Sequence, residues 1–341
     1  MAASGSVAAA PPLPASGAAS SLVSVGLLVL MNVVASVSLV GVNKLLVVGF
    51  NFRHVLLLSG LHFGVGWAAL QGASSADLPA SARLFERKVP AWRLVLPSAA
   101  AGALSIVLMN YSLRTNSLGS YQMLKVAVLP ATIALAAVQG TAVSTADVGA
   151  AALVSAGTAV ATVTDVDLSA AGSAVGLAAV AATAQYQVAC GRVQTDFGLS
   201  SAQALHALSA PQAVLTLVAA LLLETDWTAR LAAARGGGGA MLRGGAFEAA
   251  AAGGGQLAPP AIDDLWGHGY STAEVMLIAL TCVCAAFLNY SSIAVIGKIN
   301  PVAFQFVNQV RAGRRGARAR ARRPVLPRRS HPARPRAPRA A

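Results

Sequence analysis

Eight long apolar stretches, almost free of charge, run through the chain: Leu22–Val48, Val55–Gln71, Leu94–Leu113, Leu118–Gln139, Ala146–Val163, Ala171–Gly191, Ser201–Leu223 and Glu274–Ile296. Each is close to the roughly 20 helical residues needed to cross a hydrocarbon core about 30 Å thick. Helices of a large soluble protein would carry polar faces for water, and Val126–Val138 and Leu205–Leu223 carry almost none. Hydrophobic residues make up 56% of the 341 and charged residues 11%, against roughly 45–50% and about 25% in a soluble domain. Ala, Val and Leu supply most of the apolar content, which suits helices packed in lipid. The expectation is an all-α polytopic membrane protein, and a soluble enzyme is excluded.

The formal charge of +13 resembles a nucleic-acid signature until it is located. Arg311–Ala341 holds 12 arginines and no acid, which leaves residues 1–310 with 13 basic and 12 acidic groups. Cys190, Cys282 and Cys284 all lie in apolar runs, so they read as small apolar fillers rather than a disulfide framework or zinc ligands.

Residues 1–21 contain no basic residue and read as a disordered cytosolic arm. With that arm inside, the cytoplasmic connectors carry Arg83, Arg87, Lys88, Arg93, Arg192 and Lys298, while Asp165 and Asp167 lie opposite; Arg53 and Arg114 run against the trend. Residues 224–271, rich in glycine and alanine, are expected to form a flexible luminal loop.

A ninth apolar start, Ile299–Val310, is cut off by Arg311, Arg314, Arg315, Arg318 and Arg320. Each arginine at mid-membrane costs about 2.5–3.5 kcal/mol on the insertion scale. The abrupt change of composition inside a half-written helix is what a frame change or mis-splicing would produce. The Arg/Pro-rich tail, residues 311–341, is otherwise a solvated segment or one that binds anionic lipid or nucleic acid electrostatically, with no specific nucleic acid expected.

Two segments repeat in order. Asn110-Tyr111-Ser112 and then Tyr121-Gln122 recur as Asn289-Tyr290-Ser291 and then Phe304-Gln305, offset by 179 residues for the triplet and 183 for the glutamine. Each triplet closes one span and each aromatic-Gln pair opens the next. Five spans per half is an odd number, so the second half would be inverted relative to the first, as in alternating-access transporters. On this reading residues 22–163 form the first membrane repeat, and 171–310 an incomplete second one.

Lys125 stands seven residues into the fourth span, and Val126–Pro130 after it carry no polar side chain. An ammonium there requires an anion or a water-filled cavity. No acid occurs at similar depth in the neighbouring spans, so a bound phosphate is a better partner than a structural salt bridge, with Tyr121 one turn earlier on the same face. Asn43 and Lys44 close the first span, either as a cavity pair or with Lys44 snorkelling to the interface. Asn110, Gln122, Asn289 and Gln305 are as consistent with interhelical hydrogen bonding as with cargo binding. His62 and His206 read as packing residues. Arg311, six residues past Gln305, is either a second phosphate-binding cation or the first residue of the tail. No nucleophile elbow, Walker loop, HExxH or catalytic carboxylate pair is present, so neither an enzyme nor a cofactor is expected.

The segment Asn110–Lys125, NYSLRTNSLGSYQMLK, together with Val42-Asn43-Lys44, Ala161–Asp165 and Gly297–Val302, resembles the nucleotide-sugar and triose-phosphate translocators of the drug/metabolite transporter superfamily. The resemblance spans roughly residues 22–311, and Tyr121-Gln122-Met123-Leu124-Lys125 matches the plant UDP-sugar branch. It implies a ten-helix fold of two inverted five-helix repeats, here with helix nine incomplete and helix ten missing. It also implies exchange of a UDP-sugar (galactose, rhamnose or xylose) for UMP across the Golgi or endoplasmic reticulum membrane, without ATP. Lys125 would contact phosphate, and Arg311 stands where the family has a second lysine. Phe304 replaces the usual Tyr and Gln309 the His of the UDP-sugar branch. Two other readings stay open: a plastid-type sugar-phosphate translocator, and a transport-inactive membrane anchor for the basic tail. A second copy of the chain is an admissible partner. Sequencing the transcript around Val310 is expected to reveal a shifted frame; an unshifted message through Arg311–Ala341 would reverse that expectation.

Overall fold

The computed structural model describes residues 15–75, 77–141, 143–162, 170–225, 269–302, 304–306 and 308–309. Among these are eight long helices and no strand. In chain order they are α1 (Ala15–Lys44, extended by a π-helical turn over Leu45–Gly49), α2 (Val55–Ala73), α3 (Trp92–Thr115), α4 (Leu118–Val138), α5 (Thr145–Thr162), α6 (Ala170–Asp196), α7 (Ser201–Leu223) and α8 (Thr272–Lys298). Helical conformation resumes over 301–302, 304–306 and 308–309. Seven of the eight are long and apolar enough to cross a membrane; the apolar part of α5, Thr145–Val160, is shorter. Val23, Leu27, Leu30, Val34 and Val37 are exposed along one stripe of α1, a surface suited to lipid and not to water.

Two boundaries move by five residues or more. Helix α1 begins at Ala15, so residues 15–21 of the expected disordered arm are helical; adding alanine-rich turns to an existing helix carries no nucleation cost. Helix α6 continues past Gly191 to Asp196, where Arg192 and Asp196 pair at i, i+4 (3.9 Å). Residues 1–14, most of the expected 224–271 loop, Arg311 and the tail lie outside the described residues.

Local side-chain caps start four helices; at α5 Ser144 Oγ accepts from the Asp147 N–H (3.1 Å) and Asp147 Oδ2 from the Ser144 N–H (3.2 Å). Ser117 accepts from the Ser120 N–H (3.2 Å) at α4, and Ser200 with Gln203 and Ser271 with Glu274 form capping boxes at α7 and α8. Pro130 sits inside α4 and cannot donate to the Val126 carbonyl four residues back. The Gln309 amide fills that gap, donating Nε2 to Val126 O at 2.7 Å. In hydrocarbon, where no water can substitute, such a replacement is what makes a mid-span proline tolerable.

Helix α3 packs on α6 and α7, α8 packs on α1 and α2, and α2 packs on α7. Exchanging α1, α2 and α3 for α6, α7 and α8 maps this pattern onto itself. The repeated triplets occupy corresponding places in it, because Ser112 and Ser291 are both 0% exposed. On α3, Asn116 Nδ2 donates to Ser112 Oγ (3.0 Å) and to the Gly172 carbonyl of α6 (2.9 Å). On the α8 side, Asn32 Nδ2 of α1 donates to Ser291 Oγ (3.1 Å) and Ser292 Oγ (2.9 Å). One end of the bundle gathers Lys298 on Ser24, Lys88 on the Gly198 carbonyl and Gln203 on the Glu86 carbonyl. Helices α1 and α6 therefore start from opposite ends.

Close approach depends on glycine. A Cβ on Gly60 of α2 would lie 2.6 Å from Leu217 Cδ2 of α7, and four residues on, a Cβ on Gly64 would meet Ala213 at 3.9 Å. The Gly60→Val protein should lose about 1–3 kcal/mol through overpacking at this crossing. A lower melting temperature of the detergent-solubilised protein checks it; an unchanged one would show that the crossing is loose.

Candidate functional site

Lys125 is exposed, yet it does not lie on the outer face of α4. At about 100° per residue, Tyr121, Leu129, Thr132 and Ala136 share its meridian, and all four are buried. Met123, Pro130 and Ala134, nearly opposite, are exposed and form the outer face. The interior stripe has a packed border on each side. Leu124 and Val128 pack on Val180 of α6, while Leu129 and Ile133 pack on Ala151 and Val302. Lys125 is therefore an exposed residue on the otherwise buried side of its helix. Its Nζ lies 4.8 Å from the centroid of the Tyr121 ring, a cation–π contact that lessens the cost of a desolvated ammonium without neutralising it. Among the described residues the one ion pair is Arg192–Asp196, so no carboxylate there neutralises Lys125.

The remaining predicted residues separate. Asn110 and Tyr111 line a pocket of about 110 Å³ with Val55, Leu56, Val107, Leu108, Leu223 and Glu224, where α2, α3 and α7 meet. Asn110 Nδ2 donates to the Ile106 carbonyl (2.9 Å). Gln122 is half-buried, and Gln305 is buried at 4% exposure. Asn43 is half-buried, its side-chain oxygen enclosed without a hydrogen-bond partner, whereas Lys44 is exposed at the end of α1. Asn289 lies on the buried side of α8 with Thr281, Ala285 and Ser292. Tyr290 points along the exposed face with Met276, Val283 and Phe287, so the second triplet does not bring its tyrosine inward. Helix α4 packs on α3, α5 and α6, and on the 301–309 segment through Val302 and the Gln309–Val126 bond.

Several polar residues that carry the interior were not singled out as site residues from the sequence. Glu224, a span-edge acid by pattern, is 6% exposed. Its Oε1 accepts from the Leu56 N–H (2.7 Å) and its Oε2 from the Leu57 N–H (3.0 Å). His54, at the N-cap of α2, makes no side-chain cap, so the carboxylate from the end of α7 fills that role at the positive end of the helix dipole. Nearby, outside the spans, burial pushes the Tyr270 phenol up, and the charges of Glu274 and Glu224 push it further. His62 and His206 do pack as expected, each with one polar contact: His62 Nε2 with Thr281 Oγ1 (3.0 Å) and His206 Nε2 with Gln71 Oε1 (2.7 Å).

The fold and these sites describe a polytopic membrane protein with an unpaired cation facing inward. Comparison with known proteins gives its kinship. UDP-xylose transporter 2 of Arabidopsis thaliana is 28% identical over 82% of this chain and 69% of its own length. UDP-rhamnose/UDP-galactose transporter 2 of the same plant is 26% identical over 82% of this chain and 70% of its own. A nucleotide-sugar uncharacterized transporter 2 from that plant is 36% identical over a shorter region, 43% of this chain and 37% of its own. No family model matches. Six UDP-sugar transporters of that plant are 26–28% identical to this chain over 82% of its length.

Replacing Glu224 by Ala strands two buried N–H groups and should cost about 1–3 kcal/mol. Glu224→Gln, which keeps one acceptor, should cost less. Thermal melting of the two variants in detergent checks the order, and equal melting temperatures would remove Glu224 from the cap.

Proposed function

We propose that this chain is a UDP-sugar carrier that exchanges cytosolic UDP-xylose, UDP-galactose or UDP-rhamnose for UMP by alternating access at the Golgi membrane. The observation that carries the reading is Lys125: a cation about 10 Å along α4 from the start of the helix, facing inward, with Tyr121 beneath it and no described carboxylate to neutralise it. A diphosphate is the matching counter-ion, since a charge-assisted hydrogen bond to phosphate offsets the desolvation of the ammonium. An empty carrier leaves Lys125 exposed. Cargo supplies the missing charge, and that differential binding is the energy available to bias the protein between its two facing states.

The names of the relatives support the choice of UDP-sugars. The exchangeable packing of α1–α3 and α6–α8 supports two inverted halves, residues 22–163 and 171–310, rocking about the α2–α7 crossing. Asn110 at the pocket is the neutral group best placed to meet cargo on its way to Lys125, and Asn43, Gln122, Asn289 and Gln305 are its candidate companions. With Arg311 following the ninth-helix start, the second cationic contact is assigned to that arginine.

Proteoliposomes loaded with UMP should take up labelled UDP-sugar. Lys125→Ala should reduce uptake by at least about tenfold, the loss of one charged hydrogen bond, and Lys125→Arg should retain part of it. Full uptake by Lys125→Ala would refute the assignment of the phosphate site, and no nucleotide exchange by the unaltered chain would refute the carrier.

A further inference from the structure

Gln212 and Thr216, one turn apart on α7, are both 0% exposed. Neither the Nε2 nor the Oε1 of Gln212, nor the Oγ1 of Thr216, meets a partner in good hydrogen-bond geometry, although the Tyr186 phenol lies beside the Gln212 amide. An unsatisfied buried polar group costs about 1–3 kcal/mol, and native proteins keep few of them. Threonines in the other spans escape this cost by bonding back along their own helix, as Thr132 does to the Val128 carbonyl (2.8 Å) and Thr183 to the Ala179 carbonyl (2.7 Å). Thr216 does not.

The two halves of the molecule differ at this point. His62 lies two residues before the crossing residue Gly64 on α2, and Gln212 lies one residue before its counterpart Ala213 on α7. His62 finds the Thr281 hydroxyl of α8 at 3.0 Å. The 179-residue offset of the repeated triplets places Gly102 of α3 where α8 has Thr281. Glycine offers no hydroxyl, and the Gln212 amide and the Tyr186 ring of α6 close directly over it, in the space a Cβ would occupy. The same crossing is satisfied in one half and left open in the other.

We propose that Gln212 and Thr216, with the Tyr186 ring, form a neutral subsite for the polyhydroxylated part of the cargo, the sugar of a nucleotide sugar. This rests on the carrier reading above. Leu94–Leu113, Ala171–Gly191 and Ser201–Leu223, which build the junction, contain no charged residue, so it cannot neutralise a phosphate. An amide, a hydroxyl and an aromatic face suit sugar hydroxyls and the apolar face of a pyranose. The subsite is closed here. Thr216 lies about 10 Å, seven residues, from Leu223 at the pocket that holds Asn110, and parting α7 from α3 and α6 would extend that pocket down to it. Pro211, immediately before Gln212, removes a helix hydrogen bond where α7 would have to bend.

The test uses the full chain in detergent, with UDP-xylose and UMP as thermal-shift probes and the double variant Gln212→Leu, Thr216→Val. Removing orphaned polar groups should raise the melting temperature of the ligand-free protein. The concentration of UDP-xylose needed for half-maximal stabilisation should rise about tenfold or more, and that for UMP should stay within about twofold. Unchanged UDP-xylose binding, an equal loss for both ligands, or a lower ligand-free melting temperature would each overturn the proposal. If the unaltered chain binds neither ligand, the carrier reading itself fails, and it does so before the variants are compared.

Discussion

Hydrocarbon offers a backbone amide nothing to bond to, and the architecture follows from that shortage. Each span must be a helix, and each break in a helix must be repaired from inside the protein. The repair at Pro130 comes from Gln309, far along the chain, and the first turn of α2 is capped by Glu224 from the end of α7. Asn116 draws the end of α3 onto the start of α6 through the Gly172 carbonyl. Because these polar contacts are few and have no solvent to compete with them, each ties one particular pair of helices and sets their register.

The same shortage makes the exceptions informative. Lys125 is exposed on the otherwise buried side of α4, with an aromatic ring beneath it and no described carboxylate as partner, whereas the arginine at the end of α6 has Asp196. Gln212 and Thr216 are enclosed and unsatisfied while their counterpart, His62, is bonded. In a protein built only for stability, apolar residues at these points would cost less. Charge on α4 and neutral donors on α7 divide the interior into chemically distinct regions.

Internal symmetry organises this division. The Asn-Tyr-Ser triplets mark equivalent turns of α3 and α8, and each serine is buried: Ser291 is bonded by Asn32 of the other half, and Ser112 by Asn116, which itself reaches Gly172 of the other half. The equivalence holds for the serine, which packs, and fails for the tyrosine, which lines a pocket at Tyr111 and lies on the exposed apolar face at Tyr290. The packing is near-symmetric, and at its departures, Gly102 opposite Thr281 above all, the two halves differ in their polar contacts.

The spans, their order, the repeat and the isolated lysine could all be read from the chain alone, because hydrophobic length and charge are local properties that a bilayer reads segment by segment. Helix ends shifted by a few residues, at Ala15 and Asp196, where propensity and an i, i+4 pair carried a helix past its apolar core. Which polar side chain is paired could not be read, because that depends on how each helix is rotated and which residue of a distant helix arrives opposite it. Sequence alone therefore determined that Lys125 lies within the membrane-spanning part of the chain. Only the tertiary structure decided that it turns inward beside Tyr121, that Glu224 and Gln309 close gaps in other helices, and that Gln212 meets a glycine where its counterpart meets a hydroxyl.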